Sequence, residues 1–306
     1  MSVGRTRPLG VGLMLPDTER EMAGGTARWA DLAAMARTAE DCGFDSIWVS
    51  DHLLFRFEGK EPQGIWECWT LLSALAAVTS RVEIGALVSC TGFRNPALLA
   101  KTADTVDEIS GGRLVLGLGA GWHEPEYDAF GYPFDHRAGR FAEALTIISG
   151  LLRHGEVDFR GTYHAARDCE LRPRGPRRQG PPIMIGSSGE RMLRLAARHA
   201  DIWNAWGKQD PAEIPPLRAT VDGACRAEGR DPASMARSVS MLVDLPGAAG
   251  RPREEPPFVT GDAETIEGTL RGMAREGIGH VMVVLDPNTV AGIEALAPVL
   301  ERLDRG

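Results

Sequence analysis

The chain lacks most signatures of readily recognised chemistry. Its five cysteines (Cys42, Cys68, Cys90, Cys169, Cys225) are scattered, with no C-x-x-C pair. An odd, unpaired set reads as reduced thiols in a cytoplasmic protein. Cys90 alone falls near a strand end, where it can face a ligand. None of the seven histidines pairs with another at i, i+4, and no cysteine–histidine cluster has ligand spacing, so a metal site is not expected. No G-x-S-x-G appears, which argues against a serine hydrolase. Long apolar runs are missing too: the longest, Leu71 to Val78, is far short of the ~20 residues that cross a membrane. Lysine is scarce, with only Lys60, Lys101 and Lys208. The net charge of -8 makes nucleic acid an unsuitable partner. The start, MSVGRTRPLGVGLMLP, mimics a signal peptide, but it has no small-residue cleavage site and Pro16 ends the run. Leu9 to Leu15 therefore reads as a strand.

What is present is alternation. Apolar runs that read as strands cover Leu9 to Leu15, Asp45 to Val49, Val82 to Val88, Arg113 to Leu118, Ile183 to Ile185, Asp201 to Trp203, Ser238 to Leu245 and His280 to Leu285. Amphipathic helical stretches follow them, among them Trp29 to Cys42, stopped by Gly43, and Pro96 to Ile109, capped by Asn95. Eight strand–helix units describe a (β/α)8 TIM barrel, and the 306 residues read as a single domain. Two long insertions, 155–182 and 246–258, break the rhythm. The first contains RPRGPRRQGPP. Loops of that length are expected to be lids, binding loops or mobile segments at the C-terminal face of the strands.

The stretch Gly111 to Gly131, GGRLVLGLGAGWHEPEYDAFG, organises the rest. A strand ends in Gly117, Gly119 and Gly121 and is followed at once by Trp122, His123, Glu124, Glu126 and Tyr127. Glycines there let backbone approach a flat or phosphorylated ligand. A dinucleotide fingerprint fails, because its third glycine would fall at Trp122. The other strand ends offer Asp51 and His52, then Ser89, Cys90 and Thr91, then Asn204 and Trp206. Gly186, Ser187, Ser188 and Gly189 run straight into a helix, which suits a phosphate or an ordinary serine cap. His52 is an acid–base candidate. Asp51 adjoins it, so the two side chains point apart and form no dyad. Glu126 follows His123 by three residues, close enough to share a helical face. Trp122, Trp203 and Trp206 wall a flat ligand or fill core.

Three segments carry a likeness: AEDCGFDSIWVSDHL (Ala39 to Leu53), the run from Thr79 to Gly131, and PPIMIGSSGERMLRLAARHADIWN (Pro181 to Asn204). In these the chain resembles the bacterial luciferase-like flavin and deazaflavin oxidoreductases, over nearly its whole length. The resemblance implies a barrel with a flavin-type ring in its mouth and a phosphate at Gly186 to Gly189. It implies that Asp51 and His52 lie near the ring, and that Leu87 and Val88 form a strand-three bulge with a non-proline cis peptide. Cys90 and His123 stand where relatives often carry threonine or serine, and asparagine. The cofactor implied is coenzyme F-420, a deazaflavin, with the arginine-rich loop suiting its anionic tail; FMN is the alternative. The expected activity is hydride transfer to or from a small organic substrate, with His52 and Glu126 catalytic and with Asp51, Leu87, Val88, Cys90, Trp122, His123, Gly186 to Gly189 and Asn204 at the cofactor. The alternatives are an FMN-dependent monooxygenase served by a flavin reductase, and a cofactor-binding protein without catalysis. Homodimers are common among such proteins.

Overall fold

Strands buried on both faces require a sheet that is covered on both sides, and a closed sheet ringed by helices supplies this. The computed structural model describes residues 7–245 and 258–305. Its barrel strands are β1 (Gly10–Met14), β2 (Ser46–Val49), β3 (Glu83–Ala86), β4 (Leu114–Gly119), β5 (Ile183–Gly186), β6 (Ile202–Ala205), β7 (Ala236–Asp244) and β8 (His280–Asp286). Each pairs in parallel with the next, and β8 returns to β1 with His280 opposite Gly10. The glycines of β4 permit close packing: a Cβ on Gly117 would lie 2.0 Å from the Ala86 carbonyl oxygen. The helices are α1 (Trp29–Cys42), α2 (Cys68–Val78), α3 (Pro96–Ser110), α4 (Glu124–Phe130), α5 (Arg137–His154), α6 (Glu190–His199), α7 (Ile214–Ala227), α8 (Ala263–Arg275) and α9 (Val290–Asp304). Asn95 caps α3 as expected, its Oδ1 accepting from the Ala97 and Leu98 amides at 3.0 and 3.1 Å.

Three elements depart from the sequence reading. Helix α4 forms directly after the β4 glycines. A short hairpin, Leu54–Phe55 with Gln63–Gly64, follows β2. The first long insertion holds an antiparallel hairpin, Glu156–Arg160 with Ala165–Glu170. Glu156–Arg160 alternates between exposed and half-buried positions and Ala165–Glu170 buries only Ala166, so no apolar run announced them. The Glu143 carboxylate of α5 ties down its turn, accepting from the Thr162, Tyr163 and His164 amides at 2.7 to 2.8 Å.

The arginine-rich stretch of that insertion is not a lid: it leads into the next strand and sits at the N-terminal end of the barrel, opposite the mouth. The hairpin turn reaches back along α5 to its start, with the Tyr163 ring 5.6 Å from that of His136. Arg177 donates to Asp107 at the end of α3 and to the carbonyl of Leu114, where β4 begins. Arg174 donates to the carbonyls of Leu152, at 2.6 Å, and Arg178, at 2.9 Å. These arginines satisfy helix-end and strand-start carbonyls and a buried carboxylate. Of the second expected insertion, residues 246–257 lie outside those described.

Removing Arg177 leaves the buried Asp107 uncompensated. Arg177→Ala should lower unfolding stability in urea by about 3 kcal/mol. It should leave cofactor affinity unchanged. Loss of affinity without loss of stability would restore this stretch to a ligand-binding role.

Candidate functional site

Strand C-termini converge at the mouth, and their loops place the polar side chains. His52 follows β2. Its Nδ1 donates to Oε1 of Glu126 at 2.8 Å, and its side chain is 17% exposed where that of Glu126 is 0% exposed. The other Glu126 oxygen accepts from the Leu53 amide at 2.8 Å. This fixes the tautomer of His52 and leaves Nε2 as the acceptor, with no hydrogen bond among the described residues. Glu126, expected to be catalytic, lies behind His52 and cannot touch a substrate. Its place is that of a residue that orients His52, the ring to which it is hydrogen-bonded.

His123 is buried, and its Nε2 accepts from the Arg56 amide at 3.0 Å. Burial holds its pKa below the ordinary imidazole value, opposed by the Glu126 charge and assisted by His52. The neutral ring therefore pins the loop after β2 onto the start of α4.

Asp51 and His52 do point apart. Asp51 faces inward, 2% exposed, and Arg94 grips it with two bonds of 2.6 and 3.0 Å. It also accepts from Ser89 Oγ at 2.9 Å and from the Cys90 amide at 2.8 Å. Asp51 thus shapes the bulge after β3, and all of this leaves it no reach toward a ligand. The bulge carries a cis Leu87–Val88 peptide, at the position the resemblance implied. The Cys90 thiol does not face the mouth either. It lies 2.9 Å from the Tyr127 hydroxyl, which donates to the Ala120 carbonyl at 3.0 Å. Burial pushes this thiol up to about 12, so it stays protonated. Gly121 makes room for the pair: its φ is +75°, and a Cβ there would lie 1.9 Å from the Tyr127 oxygen.

At the end of β5 the turn Gly186 to Gly189 leads into α6. The cap residue is Gly189, and no side chain caps the helix. The two serines are therefore not an ordinary cap, and the first α6 amides remain available to an anion. Val88 stands beside this turn, since a Cβ on Gly119 would lie 2.6 Å, and one on Gly186 3.3 Å, from its methyl carbons. The Val88 methyls thus form an apolar floor between the ends of β4 and β5. Asn204 is buried one strand further, donating to Ser238 Oγ at 3.1 Å. Trp203 belongs to the core and donates to the Ser187 carbonyl at 2.7 Å, whereas Trp122 and Trp206 are exposed.

Three contributors escaped the sequence reading. Arg94 and Phe57 had no local motif. Asp17, just after β1, accepts from the Ser50 amide at 2.6 Å and is pushed up to about 8 by burial, with the Glu21 charge adding. The Pro16–Asp17 step at a strand end was its one available signal.

A parallel barrel with an oriented histidine, an apolar floor and an uncapped helix start at its mouth defines a barrel enzyme that can hold a flat, phosphorylated ligand. The chain belongs to the luciferase-like monooxygenase family, whose profile matches residues 9–245. It is 36% identical over 209 residues to the pyrimidine monooxygenase RutA of Cronobacter sakazakii, covering 65% of this chain and 60% of that protein. The chain thus spans less than two thirds of that relative. With the RutA of Stutzerimonas stutzeri it shares 31% over 273 residues, covering 85% and 74%. Its fold matches an F420-dependent secondary alcohol dehydrogenase, solved with an F420–acetone adduct, at a TM-score of 0.81 and 20% identity over 96% of this chain and 99% of that one. It also matches riboflavin lyase RcaE, at 0.77 and 13% over 96% and 91%. No helix among the described residues is long and apolar enough to cross a membrane, and none of their histidine, cysteine and carboxylate side chains cluster as metal ligands.

The depressed pKa of His123 sets a pH dependence. Its folded value lies below its unfolded one, so the bond to Arg56 is present at neutral pH and is lost as pH falls through the folded value. Protection of the Arg56 amide against hydrogen exchange should drop about tenfold on that acid side, the worth of roughly one hydrogen bond. In His123→Gln, whose amide oxygen reaches the position of Nε2 and still accepts, this pH dependence should vanish.

Proposed function

We propose that this protein is an oxidoreductase that holds a deazaflavin of the coenzyme F-420 type at the barrel mouth and passes hydride between it and a small organic substrate. The residues fit such a group. The uncapped α6 amides with Ser187 and Ser188, flanked by Gly186 and Gly189, suit its phosphate. Leu87 and Val88 support the ring face, with Asn204 at its edge. When bound, the deazaflavin supplies a site that gives or takes hydride.

The observation that carries this reading is the His52–Glu126 pair. Moving hydride to or from a carbonyl or an activated double bond requires one proton to arrive at, or leave, the substrate in the same turnover. His52 Nε2 can hold that proton, because Glu126 keeps the proton on Nδ1 and balances the charge of the doubly protonated ring. The buried floor excludes water from one side of the reaction.

A second reading, an FMN-dependent monooxygenase using oxygen and reduced FMN from a partner reductase, is favoured by the name of the relatives at 31 to 36% identity. The phosphate turn serves both readings. With the arginine-rich stretch at the opposite end of the barrel, it supplies no argument for the deazaflavin tail.

Titrating the purified protein with F-420 and with FMN, each oxidised and reduced, separates the two. Preference for F-420 is expected. Preference for reduced FMN would transfer the protein to the second reading, and binding of neither would defeat both. His52→Ala should then lower kcat by about 10²-fold or more, the usual share of general acid–base catalysis, at unchanged cofactor affinity. Glu126→Gln should lower kcat and alter its pH profile, since the amide can present the wrong group to Nδ1.

A further inference from the structure

Next to the turn after β5, a groove of about 650 Å³ opens between the start of α5, the turn of the hairpin that follows that helix, and Arg191 of α6. In a barrel each helix runs back against its strand, so the starts of α5 and α6 both lie on the face of the mouth. Arg191 comes just after Gly189, within one helical turn of the uncapped α6 amides. The opposite wall is Tyr163, whose ring lies against α5 because Gly139 has no side chain: a Cβ there would stand 2.9 Å from it. The volume is within the ~300–1,000 Å³ of grooves that hold a drug-sized ligand.

The charges of this lining do not cancel. Both carboxylates are committed: Asp135 accepts from Arg140 at 2.9 Å, and Glu143 accepts from the three amides of the hairpin turn. Two guanidinium groups are not. Arg137 sits over the Phe134 ring, 3.7 Å from its centroid, and its one hydrogen bond among the described residues goes to the Phe134 carbonyl at 3.4 Å. Arg191 is exposed and meets no carboxylate among the described residues. No side chain caps α5 either, so its first amides add to the positive potential. Guanidinium forks with free donors suit carboxylates, which they meet through paired, charge-assisted hydrogen bonds.

We propose that this groove is an anion subsite that takes a carboxylate-bearing extension of the ligand whose phosphate the Gly186 to Gly189 turn holds. The inference rests on the proposed function for that phosphate. It gives the anionic tail of a deazaflavin of the F-420 type a seat beside the mouth, which the arginine-rich stretch at the other end of the barrel does not supply. FMN ends at its phosphate and would leave the groove to solvent.

The test compares F-420 carrying its glutamate tail with the same deazaflavin cut back to its phosphate ester, each titrated by fluorescence into the full chain at low and at high salt. A free glutamate peptide is dialysed against the chain in parallel. The tailed cofactor should bind about tenfold more tightly at low salt, the scale of one charge-assisted hydrogen bond, and the gap should narrow as salt screens it. Arg137→Gln combined with Arg191→Gln should close that gap, and Arg191→Glu should reverse it. A variant that folds poorly weakens both compounds alike and does not imitate this result. Equal affinity of the two compounds for the unaltered chain, or a gap that survives the double substitution, would overturn the subsite. So would a free glutamate peptide that binds tightly while the tail adds nothing, which would make the groove a site for a separate anion. If neither deazaflavin binds, the cofactor reading fails and the subsite with it; binding of both without a gap removes the subsite alone.

Discussion

The buried carboxylate of Glu126 is the joint on which the mouth depends. One oxygen meets the His52 ring and the other the Leu53 backbone, so a single side chain sets both the tautomer of the candidate acid–base group and the path of the loop that follows it. A carboxylate so enclosed is tolerable only when both oxygens are hydrogen-bonded. The short helix α4 delivers it, beginning at once after the glycine-ended β4 and bringing His123 and Trp122 along. The β4–α4 junction therefore organises the β2 loop as well as its own.

The two ends of the barrel use polar residues differently. At the N-terminal end, arginines close the structure: Arg113 donates to the carbonyls of Ala76, Thr79 and Val82 at 2.7 to 2.9 Å, and Arg177 meets Asp107 and Leu114. Carbonyls left over where helices end are met by guanidinium groups, whose several donors fan out in one plane. At the C-terminal end Arg94 is spent on Asp51, and backbone amides and the His52 Nε2 remain available. Helix geometry supplies positive potential there.

The barrel was legible because parallel strands buried on both faces must be written as apolar runs, and eight such runs alternate with helices. The mouth was legible down to its strand ends: Gly186 to Gly189, His52 and Glu126 all lie where the alternation placed them. Which side chain meets which was not legible. His52 and Glu126 are 74 positions apart, and Asp51 and Arg94 are 43 apart, so nothing local reports either pairing. The arginine-rich loop departs from its expected place for a different reason: charge and length carry no direction, whereas a loop that leads from a helix into the next strand opens on the face away from the mouth.

Most polar side chains of the mouth bind one another. Asp51 is held by Arg94, Ser89 and the Cys90 amide; Cys90 lies against Tyr127; His123 accepts from Arg56; Glu126 holds His52. What remains for a ligand includes the part-exposed His52 Nε2, the first amides of α6, an apolar floor and a rim of rings. Such economy suits chemistry whose reactive centre arrives with a cofactor, where the protein's share is to orient, to exclude water and to move a proton. It also weighs against a purely carrying role. A carrier needs the anion site and the floor, whereas a histidine whose tautomer is fixed by a buried carboxylate suits the proton transfer proposed for it.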